Sequence, residues 1–106
     1  MALQYPVELN KPDRLVYTPH AYGKSVYVQP YTSDPSYPRN LAAIWDRNFG
    51  FVRSAGGPPL VIGEWGGLLP FDVDYYEALV EYLIARYEHM SAFMPLLFSP
   101  QLCCQF

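Results

Sequence analysis

Two compact apolar runs, RLVYT at residues 14–18 and LVIG at 60–63, bracket a single helical stripe, and that order limits the folds open to the chain more than any other feature. Turn chemistry introduces both runs: Asn10 to Asp13 before the first, Gly56-Gly57-Pro58-Pro59 before the second. Pro19 is expected to stop the first strand. Neither run alternates polar with apolar residues, which suits strands covered on both faces, as in a parallel sheet. Between them Leu41, Ile44, Trp45, Phe49 and Val52 recur at helical spacing, with Asn40 placed as an N-cap. Strand, helix and strand in that order form a βαβ unit with a right-handed crossover.

A second stripe, Tyr76, Leu79, Val80, Leu83, Tyr87 and Met90, predicts a helix over about 74–90, opened by a capping box of Asp74 and Glu77. Beyond it SAFMPLLFSPQLCCQF has no clear period; Pro95 and Pro100 leave room for at most a frayed strand near 93–98. The order is β-α-β-α in a chain of 106 residues, the size of one small domain. With 51% apolar residues it is not a disordered chain. Two strands cannot bury their own faces and leave both sheet edges open, so the sequence reads as a piece of a larger α/β domain.

Composition excludes several functions. The net charge is −3 and the basic residues are scattered, which argues against a phosphate-tracking surface and a nucleic-acid partner. No apolar run approaches the ~20 residues of a membrane span. The start, MALQYPVELNKPDR, does not read as a signal peptide. Cys103, Cys104 and His89 are read as structural or incidental, and no His/Cys spacing matches a zinc pattern, so neither metal nor cofactor is expected. No nucleophile elbow, phosphate loop or dinucleotide fingerprint is present.

Chemistry in parallel α/β folds sits beyond the carboxyl ends of the strands. The first such exit runs from Pro19 to Arg39, about 21 residues where ~2–6 are usual. It carries His20, Tyr22, Tyr27, Tyr31 and Tyr37, stiffened by four prolines. The second exit is Glu64-Trp65-Gly66-Gly67. His20 and Glu64 therefore leave strand tops on the same face of the sheet. Aromatic faces with polar tips suit a sugar ring, and a carboxylate at such a rim is a nucleophile for an anomeric carbon. Spacing alone leaves duller readings open: Glu64 as partner of an arginine, His20 as a surface turn residue, Trp65 as core filler and the loop tyrosines as packing. Trp45 and Phe49 are assigned to the core.

Three segments in order, LVYTPHAYGKSVYVQPY, PRNLAAIWDRNFGFV and PPLVIGEWGG, closely resemble the later part of a glycoside hydrolase family 5 catalytic domain, the cellulase or endoglucanase family. The resemblance covers roughly residues 5–90, giving a partial domain over 1–90 and a divergent tail over 91–106. It implies an α/β fold that is part of a TIM (β/α)8 barrel, with the two strands here as its sixth and seventh. Glu64 then matches the nucleophile of a retaining mechanism, and His20 and Tyr22 match the family's His-x-Tyr. The tyrosine is expected to hydrogen-bond the nucleophile and the histidine to help bind and position. Trp65, Tyr27 and Tyr31 are the expected substrate contacts, a β-glucan the expected partner.

The chain also departs from the family pattern. The general acid/base glutamate, the arginine and histidine of earlier strands, and the tryptophan of strand eight have no counterparts here. Asp34 fits a turn, Asp46 a helix surface, and Asp72 and Asp74 a helix start, so none replaces the acid. A loss on the order of 10²–10⁴-fold follows from the missing proton donor alone, and these residues by themselves are expected not to turn over substrate. The rival expectations are a non-catalytic carbohydrate binder and an inert product. Family kin are usually secreted, while the chain carries no readable export signal, so its location is left unassigned.

Overall fold

The computed structural model describes residues 6–87. The expected strand near 93–98, the last turn of the 74–90 helix, His89, the two cysteines and the proposed tail lie outside the described residues.

The fold is a small α/β unit. Two parallel strands, β1 (His20–Tyr22) and β2 (Glu64–Gly66), pair with His20 opposite Glu64, Ala21 opposite Trp65 and Tyr22 opposite Gly66. Helical segments between and after them cover one face. The expected runs do pair, but only through a single bridge of Tyr17 with Leu60, and the regular ladder lies just downstream. The first expected strand also starts late, because Pro12–Arg14 form a 3-10 turn.

Pro19 does not end the strand. It lacks an N–H, yet its carbonyl still accepts from Gly63 N–H at 3.0 Å, and the ladder continues past it. Two residues separate Tyr17 from His20, whereas three separate Leu60 from Glu64. The extra residue is a bulge in the second chain, a device that re-aims the side chains following it. Gly63 fits there for a steric reason. A Cβ on it would stand 3.1 Å from Thr18 Cβ and 3.5 Å from the His20 ring.

The expected helix over 40–52 is present as α1 (Leu41–Trp45), a π turn (Asp46–Gly50) and α2 (Phe51–Ser54). All five residues of its apolar stripe are buried. Asn40 stands before α1 but does not cap it. Turns bonding Asn40 N–H to Ser36 O and Leu41 N–H to Pro38 O bring the chain in already helical, with Asn40 at φ −70°. Its amide is free to donate to Tyr31 O at 2.9 Å, which ties down the long loop. At the far end Gly56 N–H bonds Arg53 O, Gly57 N–H bonds Val52 O, and Gly56 takes φ +72°. That pair of bonds is a Schellman stop, and glycine bears its left-handed backbone without strain.

The second helix, α3 (Val73–Tyr87), starts one residue before the expected Asp74. Asp74 lies in its first turn, where a carboxylate complements the helix dipole. Leu79, Tyr75 and Tyr82 of α3 pack on Leu41, Trp45, Phe49 and Val52, forming the core with Ala21 and Leu60. The Trp45 ring meets Tyr75 at 5.6 Å and Tyr82 at 5.2 Å, and Phe49 meets Tyr82 edge-on. Asp46, at the head of the π turn, accepts from Tyr82 Oη at 3.0 Å and pairs with Arg86. Gly50 allows this approach, since a Cβ there would overlap the Tyr82 hydroxyl.

Candidate active site

Successive side chains of a strand point to opposite faces. Ala21 is buried toward the helices, and Trp65, opposite it, faces the same way. His20, Tyr22 and Glu64 are exposed. One strand end thus presents an imidazole, a phenol and a carboxylate together on the face away from the helical layer.

The three groups touch. Tyr22 Oη donates a hydrogen bond to Glu64 Oε2. His20 Nδ1 lies 3.4 Å from the same oxygen. The His20 and Tyr22 rings stand edge to face, their centroids 6.5 Å apart. Both contacts fall on Oε2, which leaves Oε1 as the oxygen able to meet an incoming electrophile. Side-chain exposures of 50% for His20 and 55% for Glu64 put that oxygen within reach of a ligand.

Beside this group lies a cavity of about 380 Å³, bordered by all of β1 and by Pro19 before it. His20, Tyr22, Tyr27, Gln29, Tyr31 and Asn48 bring polar groups to it, and Trp45, Phe49 and Tyr75 form its inner wall. Tyr27 is 68% exposed and Tyr31 half-buried. The phenols of Tyr31, Tyr37 and Tyr75 are all pushed up, first by burial, so all three stay neutral donors across the ordinary pH range.

Of the residues expected from the sequence, the structure brings together Glu64, His20 and Tyr22, with Tyr27 and Tyr31 along the adjoining cavity. Trp65 is not brought to that cavity. It is half-buried, stands edge-on to Tyr76 at 5.5 Å and packs on the core, because its place in the ladder turns it to the helical side. His20, Tyr22 and Glu64 lie within the paired strands, where the sequence placed them on the loops beyond. Three further acidic groups are engaged elsewhere: Asp34 with Ser36, Asp46 with Arg86 and Tyr82, Asp72 with Ser25.

Asp72 escaped the sequence reading as anything more than part of a helix start. It is fully buried, and its carboxylate accepts from Ser25 Oγ, Ser25 N–H and Leu68 N–H. The signal available was Gly23 and Gly67, each one step past a strand end. A Cβ at Gly23 would stand 2.5 Å from Asp72 Cγ, and one at Gly67 would overlap the carboxylate.

Comparison with known proteins gives the chain a family. Residues 1–94 match the family model for cellulase (glycosyl hydrolase family 5). An endoglucanase of Paenibacillus polymyxa is 48% identical over 63 residues, covering 59% of this chain and 16% of that protein. The major extracellular endoglucanase of Xanthomonas campestris is 44% identical over 83 residues, covering 74% of this chain and 17% of that protein. The chain therefore spans about one sixth of the length of these relatives. Among solved structures, a complex of the endocellulase of Pyrococcus horikoshii with cellotetraose superposes with a TM-score of 0.70 at 42% identity, over 80% of this chain and 24% of that one. The catalytic domain of the Xanthomonas campestris enzyme superposes with a TM-score of 0.67. On the match over residues 1–94, the chain belongs to the cellulase family of glycosyl hydrolases, family 5.

Proposed function

We propose that these residues are the nucleophile-bearing part of a retaining β-glucanase, with β1 and β2 as the sixth and seventh strands of a (β/α)8 barrel. The partial catalytic domain spans residues 1–90, with 91–106 as a divergent tail; the family match running to residue 94 supports a boundary in this region. The observation that carries the reading is the hydrogen bond from Tyr22 Oη to Glu64 Oε2 at the carboxyl end of two parallel strands.

The chemistry is a double displacement. Glu64 Oε1 attacks the anomeric carbon, the bond from that carbon to the leaving oxygen breaks, and a glycosyl ester forms on Glu64. Water then attacks the same carbon, the ester bond breaks, and the sugar leaves with its original anomeric configuration. Tyr22 holds Oε2 in place, so the carboxylate meets the sugar in one orientation and loses little freedom on reacting. His20 shares that oxygen and lines the sugar-binding side. Tyr27 and Tyr31 offer ring faces and hydroxyls along the cavity, whereas Trp65 serves the core. A β-1,4-linked glucan is the substrate class, supported by relatives that are endoglucanases and by the cellotetraose bound to the Pyrococcus horikoshii protein. The proton for the leaving group comes from an acid that these residues do not supply.

An activated substrate removes the need for that acid. With dinitrophenyl β-cellobioside the expected result is an initial dinitrophenolate burst no larger than one equivalent, absent from Glu64→Ala. With cellotetraose, whose sugar alkoxide leaving group needs protonation, wild type and Glu64→Ala are expected to be indistinguishable. An equal dinitrophenolate burst from both chains would overturn the reading.

A further inference from the structure

We propose that Asp72 is a positioning residue for the Tyr22–Glu64 pair, its carboxylate locking the segment that leaves β1 to the segment that leaves β2. The proposal rests on the reading of Glu64 as the nucleophile and adds to it the device that keeps the pair in register.

Asp72 is the one buried charged side chain among the described residues. Burying a carboxylate is costly unless donors surround it, so its position has a cause. A helix start does not require it. Asp72 stands directly before α3, where a capping residue spends its side chain on its own helix, yet its hydrogen bonds cross to two other segments. On one side it accepts from Ser25 Oγ and from Ser25 N–H at 3.3 Å. On the other it accepts from Leu68 N–H at 3.0 Å, and the same N–H reaches Ser25 Oγ at 2.8 Å. Carboxylate, hydroxyl and amide form a closed triangle across the two strand exits.

The triangle sits close to the pair. Ser25 follows Tyr22 by three residues and Leu68 follows Glu64 by four. The intervening chain has little slack, because Gly23 N–H bonds Gly66 O at 2.8 Å and Tyr76 Oη bonds Gly67 O at 2.8 Å. Gly23 and Gly67 close on the carboxylate from either side, and neither has room for a Cβ. The strands that carry Tyr22 and Glu64 are three residues long, so their own ladder fixes relative height only weakly. The lock beyond their ends supplies the missing constraint.

The test reads the pair without sugar. Tyrosine labelled with ¹³C at Cζ is incorporated into the 106-residue chain, and the Tyr22 resonance is assigned with Tyr22→Phe. In the wild-type background Glu64→Gln displaces that resonance, because a carboxylate acceptor becomes an amide. In Asp72→Asn, whose NH₂ now faces donors, most of that displacement is lost. Ser25→Ala, which keeps the carboxylate and removes one leg of the triangle, loses part of it. Ser25→Ala decides the matter if Asp72→Asn does not give a cooperative thermal transition. A full displacement in either variant, once folded, would show that Asp72 supports the fold alone and would overturn the assignment. A Tyr22 resonance indifferent to Glu64→Gln in the wild-type background overturns the pair and the role of Asp72 with it. Failure to form a glycosyl ester at Glu64, with the coupling intact, overturns the nucleophile reading alone.

Discussion

Tyr22 and Glu64 are 42 residues apart in sequence and hydrogen-bonded across the ends of two parallel strands. A hydrogen bond to a charged acceptor contributes about 1.5–3 kcal/mol, which converts to a rate factor of about 10–100 if it is needed on reaching the transition state. Tyr22→Phe is therefore expected to slow the dinitrophenolate burst by about 10- to 100-fold. Tyr22 is partly exposed, so the melting temperature should stay within the small range of a surface change. A parallel loss of burst rate and melting temperature would instead mark Tyr22 as a structural residue.

The two faces of the strand end predict opposite results for two aromatic residues. Trp65→Ala removes a half-buried indole packed on Tyr76 and the core, and is expected to cost about 2–3 kcal/mol, below the range for a fully buried tryptophan. Tyr27, 68% exposed on the cavity rim, should lose no measurable stability when changed to Ala. Cellotetraose affinity, followed by NMR titration, should fall for Tyr27→Ala and hold for Trp65→Phe. Loss of affinity in Trp65→Phe with Tyr27→Ala unaffected would move the sugar site to the other face.

These faces mark the limit of what the sequence made legible. Composition of the runs around Tyr17 and Leu60 was enough for two parallel strands, and the stripe from Leu41 to Val52 was enough for the helix that joins them. His20 and Glu64 were readable as strand-top neighbours from the order of the strands, and the resemblance added Tyr22 and the expected roles. Where the ladder forms was not readable, because Pro19 looks like a stop when only its missing N–H is considered. Its carbonyl still pairs, and a bulge at Gly63 absorbs the misfit. The facing of Trp65 depends on that one-residue shift in register. Asp72 was hidden for a different reason: its partners Ser25 and Leu68 are distant in sequence, and a carboxylate before a helix has an ordinary local explanation.

The π turn at Asp46–Gly50 should be sensitive to both removal and addition of atoms. Asp46→Ala removes the carboxylate that accepts from Tyr82 Oη at the seam of α1 and α3, at an expected cost of about 1–3 kcal/mol. Arg86→Ala should cost less, because that pair is solvent-exposed and screened by salt. Gly50→Ala would gain up to about 1 kcal/mol of helix propensity in an open site. Here its methyl meets the Tyr82 hydroxyl and stands 2.8 Å from Asp46 Oδ1, so a net loss of about 1–3 kcal/mol is expected. Urea titrations of the three variants give the ranking, and a stabilised Gly50→Ala would contradict the packing described.

Tyr75 predicts an alkaline limit. Its hydroxyl is buried without a hydrogen-bond partner in the described structure, and burial pushes its ionisation well above the ordinary 10.0. The folded chain holds the proton where the unfolded chain releases it. The stability this gives is complete below about pH 10 and falls as pH rises beyond that, and the less displaced Tyr31 and Tyr37 act in the same direction. Tyr75→Phe removes a buried hydroxyl that makes no bond, so it should be neutral or stabilising by up to about 1 kcal/mol at pH 7. The decline in melting temperature between pH 9 and 11 should be shallower in Tyr75→Phe than in wild type. An unchanged decline would place the alkaline sensitivity elsewhere.

A covalent bond from Glu64 to sugar is the step on which the proposed mechanism stands. Incubation with dinitrophenyl 2-deoxy-2-fluoro-β-cellobioside, whose fluorine slows hydrolysis of the glycosyl ester, followed by peptic digestion and mass spectrometry, reads that bond directly. One fluorocellobiosyl adduct is expected on the peptide containing Glu64, absent from Glu64→Gln and slower to appear in Tyr22→Phe. An adduct on any other residue, or none on a chain that melts cooperatively, would contradict that mechanism.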